Sequence, residues 1–348
     1  MRTNPRVVNK LCVGIDLHKD TMTVCVLDPV TGEERFEKIA CKCRDKIIEF
    51  FSNLPKGHIV AIESVGFYRW LWELLEPIVE KLILADATQC RALAGRRIKT
   101  DRDDASNVAQ LLACGRLPIA WAPPTNIAQL RDVTRHRHYL SRQHARVLHR
   151  VKSIMAMLNR PGPDRLKAPS LHKYMLAQRS RIPIHFIEQL EMAHDELVIL
   201  ERHVGKIDLR IKLMLEADPP LCALAKRLMS FPGVGAVIAA TVLAEVGDFS
   251  RFHGRDAIAR YAGLNPRLFS SADTLRTGAI AKAGSRTLRW ALVQAAWVAV
   301  RTDPSLKALW TKIKTRNDGK RAIVAIARRI LRWMWSATRG QSDYRAAA

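Results

Sequence analysis

The first 85 residues alternate between short apolar segments and amphipathic segments, and this alternation restricts the fold more than any other feature of the chain. Residues 11–17 and 21–28 are rich in β-branched side chains, and the polar tripeptide between them predicts a β-hairpin. A third strand is predicted at residues 35–40, a helix at 45–54 and a buried strand at 58–63.

An amphipathic helix at residues 67–81, a strand at 82–85 and a helix after Thr100 continue this pattern. The predicted order is three strands, helix, strand, helix, strand, helix. A hairpin followed by helical crossovers indicates one mixed sheet with helices packed on it. We therefore predict an α/β domain at the start of the chain.

Two long helices are predicted in the middle of the chain. Residues 127–158 have apolar side chains at helical spacing, whereas the opposite face is almost entirely Arg and His. Residues 184–216 carry a heptad seam formed by Leu190, Ala193, Leu197, Leu200, Val204, Ile207, Ile211 and Met214. This seam fits either two antiparallel helices within one chain or a coiled coil between copies. We favour the intermolecular role and expect a homo-oligomer, either a dimer or a tetramer.

After Asp218 the chain is predicted to be mainly helical, with loops at residues 232–233, 247–254 and 265–277. The turn Phe231-Pro-Gly-Val-Gly-Ala236 looks like a helix-hairpin-helix, whose backbone N–H groups can bind phosphate, although a plain tight turn is the alternative. The predicted parts are an α/β domain at 1–125, a helical coiled-coil region at 126–216 and a helical C-terminal domain at 217–348.

Composition and patterning argue against several other classes of protein. The longest apolar run, residues 290–300, is shorter than the roughly 18–20 residues of a membrane span, and the N-terminus lacks a signal peptide. The seven cysteines are scattered, which is typical of reduced thiols, and Cys41 and Cys43 lack a second pair for a zinc site. We therefore expect a soluble cytoplasmic protein with no membrane partner.

The net charge of +24 is concentrated in two segments. Residues 1–80 hold eleven basic and twelve acidic side chains, whereas residues 131–160 hold eight basic, one acidic and four histidine side chains. Residues 276–345 hold sixteen basic and three acidic side chains. This division indicates a neutral domain for chemistry and basic segments that hold nucleic acid through its phosphates. Solubility by charge is the alternative.

Four carboxylates occur where a strand ends or a helix begins. Asp16 ends the first predicted strand and Glu63 ends the fourth, while Asp101 and Asp104 lie in a first helical turn where Asp103 is expected to complete a capping box. Carboxylates on separate elements suit two divalent cations about 3.5–4 Å apart, an arrangement that assists phosphoryl displacement. Acidic residues in a first turn also interact favourably with the helix dipole, so capping alone is the alternative.

A pair of serines, Ser270 and Ser271, lies in the predicted loop at residues 265–277. Four basic residues follow closely: Arg276, Lys282, Arg286 and Arg289. A serine hydroxyl near several bases can act as a nucleophile toward phosphate. Serine pairs in loops are usually solvated or capping residues, so both interpretations stay open at this point.

Seven short motifs occur in a fixed order along the chain. They are Val13-Gly-Ile-Asp-Leu-His-Lys19, Ile62-Glu-Ser-Val-Gly66, Lys99-Thr-Asp-Arg-Asp-Asp-Ala105, Pro232-Gly-Val-Gly-Ala236, Ala244-Glu-Val-Gly-Asp248, Tyr261-Ala-Gly-Leu-Asn-Pro266 and Ala281-Lys-Ala-Gly-Ser285. Taken in this order, they resemble the DEDD transposases of the insertion-sequence-110 family, which are related to the Piv/MooV invertases. The resemblance covers residues 10–335, and the ordered set of motifs is far more specific than any one of them.

The resemblance implies a RuvC-like, ribonuclease-H-type domain, a helical coil and a mainly helical C-terminal transposase domain. It implies a serine nucleophile, for which Ser271 fits best and Ser270 is adjacent, with Ala272 where the family usually has glycine. It also implies that Mg²⁺ or Mn²⁺ is held by the DEDD set, here Asp16, Glu63, Asp101 and Asp104.

The implied reaction cuts and rejoins DNA strands through a covalent protein–DNA intermediate, at a composite site formed by the two domains across subunits. A structured noncoding bridge RNA would pair with double-stranded donor and target DNA, while the protein contacts backbone. The residues expected to hold nucleic acid are Arg135, Arg137, Arg142, Arg146, Arg150, Lys152, Arg276, Lys282, Arg286 and Arg289.

Three alternatives are weighed against this hypothesis. A RuvC-type junction nuclease would use the carboxylates and water but no serine. An actin-like ATPase would share the Gly14-Ile-Asp16 segment but needs further Gly-rich phosphate loops, which the sequence lacks. A non-catalytic RNA-binding protein would need the basic segments and not the carboxylates.

Overall fold

The computed structural model describes residues 10–93, 100–271, 274–282, 284–315 and 318–344. The chain forms two compact units, Met1–Ala122 and Pro123–Ala348. One unit therefore holds both the predicted middle region and the predicted C-terminal region.

The first unit is built on a five-stranded mixed sheet with helices packed against it, as predicted. Its elements are β1 (Cys12–Leu17), β2 (Thr21–Leu27), β3 (Glu34–Ala40), α1 (Arg44–Ser52), β4 (Ile59–Glu63), α2 (Arg69–Leu75), β5 (Lys81–Ala85), α3 (Ala87–Leu93) and α4 (Asp101–Ala113). The strand order is β3-β2-β1-β4-β5. The pairs β1–β2 and β2–β3 are antiparallel, whereas β1–β4 and β4–β5 are parallel.

Two details of this unit differ from the prediction. Helix α2 ends at Leu75, well before residue 81, because Pro77 has no N–H with which to continue the helix. The short helix α3 was not predicted, and it begins where the carboxylate of Asp86 accepts hydrogen bonds from the backbone N–H groups of Thr88 and Gln89. Asp86 acts there as a helix cap.

Strand side chains alternate between two buried faces of the sheet. Val13 and Ile15 of β1 pack on the side of α1 and α2. Cys12 of β1 and Ala61 of β4 pack on the other side, against small residues of α4 such as Ala105. Both faces of the central strands are therefore covered by helices, which explains their almost uninterrupted apolar sequences.

The second unit is mainly helical. Its elements are α5 (Thr125–Met157), α6 (Ala168–Gln178), α7 (Ile184–Glu216), α8 (Pro219–Met229), α9 (Ala236–Val246), α10 (Arg255–Tyr261), β6 (Pro266–Ser271), β7 (Thr274–Ile280), α11 (Arg286–Thr302), α12 (Pro304–Lys314) and α13 (Gly319–Gly340). Among the described residues, no helix has the length and apolar character that a membrane span needs.

Helices α5 and α7 pack against each other in antiparallel orientation. Arg137 of α5 pairs with Asp208 of α7, and Arg150, further along α5, pairs with Glu196, nearer the start of α7. The heptad-seam residue Leu197 is fully buried in the same cluster as Val151 of α5. This part of the seam therefore packs within the chain, which is the intramolecular alternative, and the homo-oligomer stays a prediction.

The serine segment folds differently from the prediction. Residues 265–277 do not form a loop, because β6 and β7 pair as an antiparallel hairpin in which Ser271 lies opposite Thr274. Apolar and β-branched residues on both strands, including Leu268 and Leu275, favour extended structure, and the serine pair obscures this pattern. The prediction of a loop was therefore wrong. The turn residues 272–273, including Ala272, lie outside the described residues.

Candidate active site

Two buried carboxylates lie side by side at the ends of neighbouring parallel strands. Ile15 of β1 is in register with Ile62 of β4, so the following residues, Asp16 and Glu63, end the two strands next to each other. Their exposed fractions are 5% and 9%. Their alternation along the strands places both on the face covered by α4. Sequence reasoning predicted the strand ends, and the parallel register supplies the proximity.

Gly14 allows α4 to approach the sheet closely. A Cβ atom on this residue would lie 2.3 Å from the carbonyl oxygen of Ala105 and 2.6 Å from the backbone nitrogen of Ala109. The backbone of α4 therefore rests almost directly on β1, two residues before Asp16. This contact brings the first turn of α4 to the carboxylates at the end of the strand.

We expect Gly14→Ala to destabilise the protein by about 3 kcal/mol or more, because the new methyl group would push α4 away from β1. The check is the free energy of unfolding from urea titrations. Gly66→Ala is the matched control, since an added Cβ there meets nothing within 4 Å. Equal unfolding free energies for the two variants would contradict this account of the contact between α4 and β1.

The first turn of α4 is organised by the predicted capping box. The Thr100 hydroxyl accepts a hydrogen bond from the backbone N–H of Asp103, and the Asp103 carboxylate accepts one from the N–H of Thr100. Asp103 is thereby engaged in capping the helix. Asp101 and Asp104, on either side of it, belong to the carboxylate cluster.

A histidine that the sequence analysis did not select joins this cluster. His18 Nε2 lies 3.0 Å from Asp16 Oδ2 and 3.4 Å from Asp101 Oδ1. One potential ligand atom from each of Asp16, His18 and Asp101 lies within 4.8 Å of the others. The signal in the sequence was the spacing of two residues between Asp16 and His18, which places both side chains on one side of an extended backbone.

The cluster is electrostatically unbalanced. Burial raises the pKa of the Asp16 carboxyl, the carboxylates of Asp104 and Asp101 raise it further, and the nearby His18 ring opposes the rise. Lys38 Nζ of β3 lies 3.3 Å from Asp101 Oδ2. Several carboxylates thus converge with one imidazole and one ammonium group. This donor set of carboxylate oxygens and a ring nitrogen suits a divalent cation.

The predicted carboxylates differ in how closely they converge. Asp16 and Asp101 share the contact with His18, and Asp104 is near enough to influence the pKa of Asp16. Glu63 lies beside Asp16 by register, and its Oε1 is 3.9 Å from Nε of Arg91 in α3. Helix α4 therefore contributes Asp101 and Asp104 on one side of Asp16, and the end of β4 contributes Glu63 on the other.

The backbone at the base of the serine hairpin is held by several contacts. Ala281 N–H donates to the carbonyl oxygen of Asn265 at 2.9 Å. The Arg289 guanidinium donates to the carbonyl oxygens of Ala262 and Gly284 at 3.2 and 3.0 Å. Gly284 has a φ of +98°, and a Cβ there would lie 2.0 Å from the Tyr261 carbonyl oxygen. Residues of the Tyr261–Pro266 and Ala281–Ser285 motifs therefore support the hairpin from its base.

Ser270 and Ser271 lie at the far end of this hairpin, where β6 pairs with β7. Their side chains, and that of Arg276, are outside the described part of the structure. The register alone places Ser270 opposite Leu275, next to the pair that precedes the turn.

Apart from Arg276, the predicted nucleic-acid-binding residues fall into two groups. Some are engaged within the second unit: Arg135 forms a two-pronged ion pair with buried Glu245, Arg137 does so with Asp208, and Arg289 binds backbone carbonyls. Arg150 pairs with Glu196 at the surface. Exposed side chains are those of Arg142, Arg146, Lys152, Lys282 and Arg286.

Arg135→Ala should therefore destabilise the protein far more than Arg142→Ala. Removing Arg135 leaves the Glu245 carboxylate, whose side chain is 2% exposed, without its bidentate partner, which should cost about 3 kcal/mol of unfolding free energy. Removing exposed Arg142 should change stability by less than about 0.5 kcal/mol. Urea titration of both variants checks this, and equal losses would contradict the structural role of Arg135.

Comparison with known proteins places these features in one family. A model named for DEDD transposases of the IS110 group and described as "Transposase" matches residues 13–159. A second model, "Transposase IS116/IS110/IS902 family", matches residues 225–311. The first match contains the whole carboxylate cluster, and the second contains the serine hairpin.

Similar proteins match almost end to end. A probable family 20 transposase of Pseudomonas aeruginosa is 25% identical over 96% of this chain and 98% of its own length. The transposase for insertion sequence element IS1111A of Coxiella burnetii is 22% identical over 97% and 92%. The pilin gene-inverting protein of Moraxella bovis is 23% identical over 93% and 94%. Because two models of this family match residues 13–159 and 225–311 and these relatives match almost end to end, the chain belongs to the IS110 family of transposases.

Proposed function

We propose that this transposase moves an insertion sequence by breaking and rejoining double-stranded DNA with a serine nucleophile, next to a divalent-metal site, under the guidance of a noncoding RNA. The observation that carries the proposal is the convergence of Asp16, His18 and Asp101 at the end of β1. A divalent cation would balance the negative charge that Asp16 shares with the neighbouring carboxylates.

Mg²⁺ or Mn²⁺ would be held by Asp16 and Asp101, with His18, Glu63 and Asp104 adjacent. The bound cation would stabilise negative charge on the oxygens of the reacting phosphate. Asp16 and Glu63 stay in place because β1 and β4 are buried and paired. Asp101 and Asp104 stay in place because the capping box fixes the first turn of α4.

The serine step conserves the energy of the phosphodiester bond. The Oγ atom of Ser271, or of adjacent Ser270, attacks phosphorus and forms a new P–O bond. The bond from phosphorus to one strand end breaks, and that end leaves as a free hydroxyl after receiving the serine proton. Attack by the hydroxyl of another strand then reforms a phosphodiester and returns the serine, so no high-energy cofactor is needed.

Nucleic acid would be held by the exposed basic side chains. Arg142, Arg146 and Lys152 on α5 suit the phosphates of a structured guide RNA, and Lys282 and Arg286 lie close in sequence to the serine hairpin, where DNA must bind. A homo-oligomer would allow the carboxylates of one copy to act with the serine of another. Such an enzyme would work in the bacterial cytoplasm on DNA of the nucleoid.

The RNA component has a direct test. The protein would be expressed together with the noncoding DNA that flanks its gene, and the RNA that copurifies would be sequenced. We expect a structured RNA from that flank, and changing its pairing loops should redirect insertion to the matching DNA. Insertion that continues at the original site without any RNA would contradict guidance.

A further inference from the structure

Helix α13 carries an arginine stripe that the predicted binding residues do not include. We define the stripe as Arg321, Arg328, Arg332 and Arg339, spaced seven, four and seven residues apart. At about 100° per residue these positions fall within about 40° of one another around the helix, and the stripe extends along about 27 Å of its length. Residues Gly319–Gly340 contain no Asp or Glu.

The opposite face of α13 belongs to the core of the second unit. Ile323, Ile326, Ile330 and Met334 are buried there with residues of α9 and α11. This packing sets the rotation of the helix about its axis, so the arginine stripe lies on the face away from the core, where Arg321 and Arg339 are exposed and Arg328 and Arg332 are half-buried. The Arg321 side chain is 74% exposed and the Arg332 side chain 38%.

Acidic neighbours neutralise the arginine stripe only weakly. Arg321 lies 3.8 Å from Asp318 and Arg332 lies 3.7 Å from Asp256. Both carboxylates are largely exposed, so the attraction within each ion pair is weak. In the described part of the chain, Arg328 has no acidic partner.

One arginine of the stripe is held in position by an aromatic ring. The guanidinium carbon of Arg339 lies 5.2 Å from the centroid of Trp335. A guanidinium over a ring keeps its N–H donors available for a bidentate contact, because the ring interacts with its charge. Part of the side-chain ordering that phosphate binding requires is therefore already present.

We propose that the arginine stripe of α13 binds the phosphate backbone of duplex DNA. Outward-facing arginines without acids between them complement a polyanion, and DNA is the polyanion on which transposases act. A straight line of about 27 Å corresponds to about eight base pairs of B-form DNA at 3.4 Å each. The choice of DNA as the partner rests on the proposed function, whereas the geometry of the stripe does not. The stripe would contact the phosphate backbone of the DNA away from the reacting phosphate.

The test compares two triple variants of the full-length protein. Arg321→Gln/Arg328→Gln/Arg339→Gln removes three charges of the stripe and spares Arg332. Lys42→Gln/Lys46→Gln/Lys56→Gln removes three exposed charges from the first unit as a control. Affinity for a fluorescein-labelled 30-base-pair DNA duplex is measured by anisotropy across a series of KCl concentrations, with a 30-base-pair RNA duplex as the second probe.

We expect the stripe variant to bind the DNA duplex at least about tenfold more weakly at 150 mM KCl, with a log–log salt slope shallower by about 2.7, which is 0.9 for each lost phosphate contact. The control variant should stay within about twofold of the unmodified protein. An unchanged DNA slope, or a loss confined to the RNA duplex, would overturn the proposal. If the triple variant does not fold, Arg328→Gln alone should reduce the slope by about 0.9.

The experiment can refute the DNA-binding stripe and the serine mechanism independently of each other. A shallower DNA slope together with serine-independent strand cleavage would retain the DNA surface and refute the serine mechanism. An unchanged slope together with serine-dependent cleavage would refute the DNA surface and retain the serine mechanism.

Discussion

Asp16→Asn is expected to reduce DNA strand exchange by at least about 1000-fold while leaving the protein folded. The substitution keeps the shape of the side chain and removes the negative charge at the centre of the carboxylate cluster, so the site loses a buried ligand for its divalent cation. The measurement is recombination of two plasmids that carry donor and target DNA, scored by the joined product in the presence of Mg²⁺.

Stability should move in the opposite direction from activity. Burial and neighbouring carboxylates raise the pKa of Asp16 in the folded state, so at neutral pH its charge opposes folding in the metal-free protein. Asp16→Asn should therefore unfold at the same temperature or higher, as is common when a charged active-site residue is neutralised. Thermal unfolding in EDTA checks this expectation.

Asp103→Asn provides a matched control for this prediction. Asp103 lies in the same first turn of α4 as Asp101 and Asp104, but its carboxylate accepts the capping hydrogen bond from Thr100. Asparagine can accept the same bond, so activity should stay within about tenfold of the unmodified protein. Equal losses in the two variants, or strand exchange by Asp16→Asn within tenfold of normal, would contradict the assignment of Asp16.

Removing the serine pair is the second change with a large expected effect. Ser270→Ala/Ser271→Ala should abolish the covalent protein–DNA species and reduce strand exchange by at least about 1000-fold, because no other hydroxyl would form the phosphoserine bond. Of the single variants, Ser271→Ala should account for the loss and Ser270→Ala should retain most activity. The covalent species is measured as labelled DNA that migrates with the protein in denaturing gels.

Ser285→Ala is the control for the serine pair. The Ser285 hydroxyl caps α11 by accepting from the N–H of Leu288, so its loss should cost about 1 kcal/mol of stability and leave the covalent species intact. Cleavage by Ser270→Ala/Ser271→Ala at the normal rate would instead support a junction nuclease that uses water.

The fold of the first unit was largely predictable from local patterns. Alternating apolar and β-branched residues predicted β1, β2 and β3, and the helix order followed from periodicity. In the second unit, the bounds of α7 agree with the predicted residues 184–216, and the sequence Asp218-Pro219 marks the boundary that follows. The short helix α3 was missed because seven residues give too little periodicity for a helical pattern.

The candidate site was predictable only in part, because long-range contacts determine it. Strand ends and a capping box predicted where the carboxylates would be placed. The contact of His18 with Asp101 depends on the close approach of α4 over Gly14, which spacing along the chain does not reveal. For the same reason the basic pattern of α5 did not separate Arg135, engaged by distant Glu245, from exposed Arg142.

The most direct test of the central claim is to map the bond between protein and DNA. The covalent species would be trapped with duplex DNA and Mg²⁺, digested with nuclease and trypsin, and analysed by mass spectrometry. Cleavage after Arg267 and Arg276 yields one peptide, residues 268–276, that contains both Ser270 and Ser271. We predict a nucleotide adduct on Ser271 that is absent from Asp16→Asn. An adduct on a residue outside this peptide, or strand exchange with no covalent species, would contradict the account.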